Sequence, residues 1–183
     1  LHDNEGFLFS TPRALPVRYI DFEQPIPMIE VDKGLQVLLI EPQLPKYLGR
    51  KSVMGRVFLE KLSNQYPGRF LVSDLDIAAQ AKATLTKLHR FLLTSEVTPH
   101  IIHIDALCDY GWLCQCKTLN PPDCVQCMVC DTHRADDQKL QSYLAFESND
   151  MELHWVSGNE LGRLLSGRGI QLVVLPFSKS GLV

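Results

Sequence analysis

The stretch Leu35-Gln-Val-Leu-Leu-Ile40 is a short, mostly apolar run that ends at Glu41-Pro42. An apolar run of this length, closed by a proline, is typical of a strand buried on both faces. Similar runs occur at residues 70–74, 99–105 and 170–175. Nearly continuous apolar strands are typical of parallel sheets, so these four runs predict one mostly parallel sheet.

Helical patterns alternate with these strands. Apolar residues recur with a period of about 3.6 over residues 50–64 and again over residues 77–93, where Asp76 is placed to cap the second helix. Ser157-Gly-Asn-Glu160 is a capping box that opens a short helix ending at Leu165. We therefore predict an α/β fold, in which a mostly parallel sheet is flanked by helices on both faces.

The domain organisation follows from length and composition. Residues 1–34 are punctuated by prolines and are expected to form an N-terminal segment with one edge strand near residues 17–20. Residues 35–183 are long enough for one core and too short for two. Because the sequence lacks an initiator Met and ends abruptly, we expect a fragment whose domain is incomplete at the C-terminus.

Charge and hydropathy exclude several function classes. The net charge of −3 and the pI of about 6.1 argue against direct nucleic-acid binding, which needs a clustered basic excess. No apolar run approaches the roughly 18 residues that span a bilayer, and no signal peptide is visible. The sequence thus predicts a cytoplasmic protein that does not enter membranes.

All six cysteines fall between Cys108 and Cys130, and this clustering favours a local metal site over a disulfide framework. The pattern is Cys-x-Cys, seven further residues, then Cys-x-x-Cys-x-x-Cys-x-x-His. We expect the insertion at residues 108–135 to hold one structural Zn²⁺ ion, with an iron–sulfur cluster as the alternative. The predicted ligands are Cys114, Cys116, Cys124 and Cys127, with Cys130 or His133 as alternates.

Two strand ends carry a resemblance to a known family. His103-Ile-Asp-Ala-Leu-Cys108 resembles the H-x-x-G-H-G strand end of CHAT domains, which are caspase-like (clan CD) cysteine peptidases often linked to tetratricopeptide repeats. Leu172-Val-Val-Leu-Pro-Phe-Ser-Lys-Ser-Gly181 is similar to the family's V-V-L-S-A-C-x-S-G. The hairpin and helix predicted over residues 143–165 also resemble the element that precedes the family's nucleophile strand.

The resemblance implies a cysteine–histidine dyad, but both positions are substituted. The family's catalytic His falls on Leu107 and its catalytic Cys on Ser178. Leu107 cannot accept a proton, and a serine hydroxyl is inert without a base. His103 is a candidate supporting residue, and Asp105 and Asp109 are candidates to receive a basic substrate side chain.

The sequence is compatible with three functions. The first is a catalytically impaired CHAT-type domain that acts in regulation or protein recognition, with a protein or peptide partner and a tetratricopeptide-repeat region in cis. The second is an active cysteine endopeptidase of a defence or cell-death-like response, either with a deliberately altered dyad or with Cys108 as nucleophile and His103 as base. The third is a non-peptidase, zinc-stabilised interaction module.

Overall fold

The structure, a computed structural model, describes residues 2–3, 6–7, 34–42, 54–75, 82–148 and 153–175. The chain divides into two compact units, Leu1–Glu30 and Val31–Val183. In the first unit, β1 (His2–Asp3) pairs with β2 (Gly6–Phe7) in antiparallel fashion. The edge strand predicted near residues 17–20 lies outside the described residues.

The second unit is a mixed α/β structure with two four-stranded sheets and three helices in its described part. Its elements in chain order are β3 (Leu35–Ile40), α1 (Met54–Gln65), β4 (Phe70–Asp74), α2 (Leu85–Thr94), β5 (Ile101–Ile104), β6 (Cys108–Leu113), β7 (Leu119–Asn120), β8 (Gln141–Glu147), β9 (Leu153–Ser157), α3 (Gly158–Leu165) and β10 (Leu172–Val174).

The first sheet contains the four apolar runs that the sequence singles out. Its strand order is β10-β5-β3-β4, and all three pairings are parallel. Side chains alternate between the two faces of a strand. Val37 and Leu39 therefore pack with Leu59 of α1, whereas Leu38 and Ile40 belong to a second core cluster that contains Leu88 of α2.

The second sheet is antiparallel and has the order β7-β6-β8-β9. The predicted hairpin is confirmed, since β8 pairs with β9 from Tyr143↔Ser157 to Glu147↔Leu153. Phe146, at 0% exposure, joins this sheet to the core cluster of Leu38. The start of the predicted metal insertion is a strand, because β6 pairs with β8.

The helices differ from expectation mainly at the start of α2. Residues 82–84 are not helical, so the prediction of one helix over residues 77–93 is wrong there, and Asp76 lies outside the described residues. Thr84 is the N-cap, and its hydroxyl accepts a hydrogen bond from the Lys87 N–H at 3.1 Å. A long-range contact accompanies this start: the Ala83 N–H donates to Glu147 Oε2 at 2.6 Å, next to the extended backbone of Thr84.

The two other helices begin and end close to their predicted bounds. In α3, Ser157 caps the first turn as the capping box predicts, and its hydroxyl accepts from the Glu160 N–H at 3.2 Å. The longest described helix, α1, has 12 residues. Within the described ranges, no helix is long and apolar enough to cross a membrane.

Candidate metal centre

Four cysteines converge beside the end of β6. The Sγ atoms of Cys114, Cys116, Cys127 and Cys130 all lie within 4.8 Å of one another. Two of the pairs are Cys114 with Cys130 at 3.4 Å and Cys116 with Cys127 at 3.5 Å. A tetrahedral metal with bonds of about 2.3 Å to sulfur separates its ligands by about 3.8 Å. The cysteines are free thiols, and their spacing suits a metal ion.

The ligand set differs from the predicted one by a single cysteine. Cys130, expected only as an alternate, is in the cluster, and Cys124 is not. Cys124 instead closes a turn by donating its N–H to the Pro121 carbonyl at 3.2 Å, and its own carbonyl accepts from Trp112 Nε1 at 2.7 Å. The other alternate, His133, is exposed and forms an isolated β-bridge with Gln126, outside the group of four.

The cluster is built from two loops with the same hydrogen-bond pattern, which we call knuckle 1 (residues 114–118) and knuckle 2 (residues 127–132). In each, the N–H of the first cysteine donates to a threonine carbonyl, Cys114 to Thr118 at 2.9 Å and Cys127 to Thr132 at 2.8 Å. The carbonyl of that cysteine in turn accepts the N–H of the residue after the second cysteine. The two loops therefore present their sulfurs in matching ways.

The residue that follows the second cysteine has a left-handed backbone in both knuckles. These residues are Lys117, with φ of 67°, and Asp131, with φ of 56°. Residues with a side chain adopt this conformation at a cost, so it persists only where the surroundings impose it. The Lys117 N–H bonds the Cys114 carbonyl at 2.9 Å, and the Asp131 N–H bonds the Cys127 carbonyl at 3.1 Å.

Two buried side chains join the knuckles to the sheet and to each other. Trp112 of β6 packs in a small apolar cluster with Cys114 and Cys127. Asn120, which is 0% exposed, donates from Nδ2 to the Thr118 carbonyl at 3.1 Å and accepts the Met128 N–H at Oδ1 at 3.0 Å. Asn120 thus bridges knuckle 1 and knuckle 2 without a metal ion.

In the metal-free cluster, three of the cysteines have shifted pKa values. Burial opposes ionisation of Cys127, but backbone N–H groups of knuckle 2 and the thiols of Cys116 and Cys130 lower its pKa to about 6. The pKa of Cys130 is also lowered, chiefly by the Thr132 hydroxyl. The backbone of Cys116 lowers the pKa of Cys114, yet burial and the neighbouring thiols outweigh it and raise that pKa to about 12. Thiolate is thus present near neutral pH, as metal binding requires.

A second group of polar side chains lies at the carboxyl ends of β3 and β5. His103 is 7% exposed, and its Nε2 has no hydrogen-bond partner among the described residues. Burial lowers its pKa, although the charges of Asp105 and Glu41 oppose this. Asp105 is buried and accepts the Gly55 N–H at 3.2 Å, and Glu41 pairs with Arg56 at 2.7 Å. His103 is therefore mostly neutral at pH 7.

Two of the remaining residues predicted for catalysis or substrate binding, Leu107 and Asp109, belong to the described part of the chain. Leu107 is half-buried just beyond β5, and its carbonyl accepts the Ala145 N–H at 2.9 Å. Asp109 is exposed on β6 and accepts the N–H of its neighbour Tyr110 at 2.8 Å. Ser178 lies outside the described residues.

Comparisons with known proteins return no match for this chain. No protein-family model matches it, and neither does any curated protein or solved structure. The chemistry of the cysteine cluster therefore rests on its own geometry.

The sequence contains a signal for the observed ligands that the spacing of the cysteines does not show. Both knuckles end in cysteine, one variable residue and threonine, as Cys116-Lys-Thr118 and Cys130-Asp-Thr132. Cys124 is followed by Val-Gln and has no such threonine. Trp112 and Asn120 carry no comparable pattern, since their roles depend on contacts across the folded sheet.

Proposed function

We propose that the four-cysteine cluster binds one structural Zn²⁺ ion. Four sulfur ligands at near-tetrahedral separations match the preference of zinc, and they leave no coordination position for water or substrate. The apolar cluster at the knuckles consists of only three buried residues, Trp112, Cys114 and Cys127. A core this small stabilises a loop region weakly, so metal binding would supply the missing free energy.

Elemental analysis of the purified full chain tests this proposal. The expected result is about one zinc per chain, lost on dialysis against a strong chelator at neutral pH. Iron at a similar ratio, with the visible absorption of an iron–sulfur cluster or of an iron–thiolate centre, would identify iron as the metal instead. Less than half a metal ion per chain, in protein purified without chelators, would contradict a metal site altogether.

For the domain as a whole, we propose a catalytically impaired, caspase-like domain of the CHAT type that acts in regulation or protein recognition. The observation that carries this proposal is the parallel pairing of β10 with β5, in which Val174 lies opposite His103. Parallel neighbours end at the same edge of a sheet. The chain therefore leaves β5 towards Leu107 and leaves β10, in the direction of Ser178, from one edge.

The side chains at this edge favour binding over cleavage. Leu107 carries no group that transfers a proton, and His103 is buried with a lowered pKa. Burial, followed by the charge of Asp109, raises the pKa of Cys108, which makes its thiol a poor nucleophile at neutral pH. The alternative dyad of Cys108 and His103 therefore has little support.

A protein or peptide is the partner that fits best. Val125 precedes knuckle 2, Met128 and Val129 lie within it, and the three side chains are 63%, 62% and 71% exposed. Exposed apolar side chains grouped on one loop are typical of protein-binding surfaces. The CHAT resemblance adds a tetratricopeptide-repeat region in cis, and free thiols are consistent with a reducing compartment such as the cytoplasm.

Peptide cleavage by the complete protein, measured by mass spectrometry on a broad peptide pool, tests the impaired dyad. The chain is compared with the triple variant Leu107→His, Cys108→Gly and Ser178→Cys, and Ser178→Cys alone is the control that lacks the base. We expect cleavage only by the triple variant. Cleavage by the unaltered chain would refute the non-catalytic role. A folded, metal-loaded triple variant that cleaves nothing would refute the CHAT-type proposal.

A further inference from the structure

The four cysteines of the cluster differ in their access to solvent. Cys114 is 5% exposed and Cys127 is 1% exposed, whereas Cys116 and Cys130 are exposed. Each knuckle thus contributes one buried and one exposed sulfur, and the exposed one is the second cysteine. A chelator or an alkylating agent from solvent meets the exposed sulfurs first, so these two decide how long a bound metal stays.

Each exposed sulfur has a threonine hydroxyl beside it. Thr118 Oγ1 lies 3.2 Å from Cys116 Sγ, and Thr132 Oγ1 lies 3.2 Å from Cys130 Sγ. A metal-bound sulfur is a thiolate and only accepts hydrogen bonds, so the hydroxyl is then the donor. In the described residues, neither buried sulfur has a side-chain hydroxyl as a hydrogen-bond partner. The threonine hydroxyls therefore lie beside the two exposed sulfurs and not beside the two buried ones.

A hydrogen bond to a metal-bound thiolate has two effects. It fixes the orientation of the ligand, and it draws electron density from the sulfur, which then reacts more slowly with electrophiles. The same threonines also hold the first cysteine of their knuckle through the backbone carbonyl. Replacing the hydroxyl alone leaves that backbone bond in place, so the two roles are separable by substitution.

We propose that Thr118 and Thr132 are positioning residues that protect the two exposed metal ligands, Cys116 and Cys130, from solvent-borne attack. The inference rests on the proposed metal site and adds to it a specific role for the two hydroxyls. It makes the cluster a closed site that resists metal exchange despite two exposed ligands. Because the two knuckles have matching geometry, each threonine acts on the exposed cysteine of its own knuckle.

The test uses the full, zinc-loaded chain and near-isosteric changes. Thr118→Val and Thr132→Val remove one hydroxyl each, and Thr118→Ser and Thr132→Ser retain it. The control is Thr94→Val on α2, whose hydroxyl donates to the Arg90 carbonyl of the same helix. The rate of zinc release to excess chelator is measured together with iodoacetamide alkylation, mapped cysteine by cysteine. Substituting a residue that hydrogen-bonds a metal ligand changes metal affinity about 10–100-fold, so we expect release at least several times faster in each valine variant.

The alkylation map makes the outcome specific to each knuckle. Thr118→Val is expected to speed alkylation of Cys116 first, and Thr132→Val that of Cys130, while the serine variants and Thr94→Val match the unaltered chain. Co²⁺-loaded valine variants should also show a shifted thiolate charge-transfer band, which a change in the stability of the folded chain alone does not produce.

Several results would overturn the inference. Valine variants that release zinc at the unaltered rate would do so, as would serine variants that release it as fast as valine variants. Alkylation that rises equally at all four cysteines would indicate general loosening and refute the local role. If the unaltered chain contains no metal, the proposed metal site itself is refuted. If the chain is loaded with zinc and the variants behave like it, only this inference is refuted.

Discussion

The parallel sheet and the cysteine knuckles are stabilised by different interactions. The main core cluster of the sheet brings together 12 buried residues from both sheets, α2, α3 and the segments that connect them. The knuckles have a cluster of three buried residues, and their backbone hydrogen bonds join residues three to five positions apart along the chain. One region thus depends on apolar burial between distant segments, and the other on local hydrogen bonds and, by the proposed function, on a metal ion.

The largest expected effect is the loss of the knuckles when a ligand is removed. Cys130→Ser should abolish zinc binding, whereas Cys124→Ser, the matched control outside the cluster, should retain about one zinc per chain. Structural zinc contributes about 10 kcal/mol or more in small zinc-binding peptides. Hydrogen exchange should show loss of protection at the Cys114 and Cys127 amides.

Protection at Leu38 and Ile102 of the parallel sheet should survive in the same Cys130→Ser protein, since these residues belong to the main core. Global loss of protection would mean that the sheet also depends on the metal, and the comparison between the two regions would fail. Equal zinc loss in Cys124→Ser would overturn the ligand assignment.

The next largest effect is a cavity in the core of the sheet. Leu38→Ala removes a side chain that is 0% exposed and should lower the free energy of unfolding by about 2–5 kcal/mol. Urea denaturation followed by circular dichroism measures this change. Zinc content should stay unchanged below the transition. A lower zinc content in Leu38→Ala than in the unaltered chain, while the sheet is still folded, would show that the two regions are coupled.

A smaller effect is expected at the bridge between the knuckles. Asn120→Ala leaves the Met128 N–H without its acceptor and removes one of the two donors to the Thr118 carbonyl, which should cost about 1–3 kcal/mol. Competition with a chelator of known affinity should show weaker zinc binding. The exposed Asn64 of α1 provides the control, Asn64→Ala, and an equal effect there would argue against the bridge.

A stabilising change is expected at the left-handed position of knuckle 2. Asp131→Gly relieves a backbone strain of about 1 kcal/mol and removes a negative charge next to anionic thiolates. Zinc should therefore be held more tightly in the chelator competition. Asp123→Gly, at a described position without positive φ, should give no such gain. Weaker binding in Asp131→Gly would show that the carboxylate has another role.

The smallest effect concerns pH and belongs to the sheet. Because burial lowers the pKa of His103, the unfolded chain binds a proton more readily than the folded chain below about pH 6.5. Stability contributed by neutral His103 is thus present above that pH and is lost as the pH falls towards the folded-state pKa. His103→Gln should flatten the decline in urea stability, and the exposed His154→Gln should not. Equal slopes for the two variants would contradict this role.

Much of the fold follows from local patterns. The apolar run Leu35–Ile40 predicts β3, and the capping box predicts that α3 begins after Ser157. The start of α2 was not predictable in this way, since it depends on Glu147, which lies 64 residues from Ala83 along the chain and holds its N–H. The recurrence of apolar residues over residues 77–93 gives no indication of that contact.

The sequence by itself determined the strands of the parallel sheet, the hairpin of β8 and β9, and the presence of a cysteine-rich cluster suited to a metal. The spacing of the cysteines left open which four converge, and the tertiary structure decided it. Cys124 and Cys130 have equivalent spacing from Cys127, but Trp112 holds the Cys124 carbonyl while Thr132 accompanies Cys130. Spacing along the chain limits which sulfurs can meet, and the choice among them is made by contacts with β6 and by the hydrogen bonds of each knuckle.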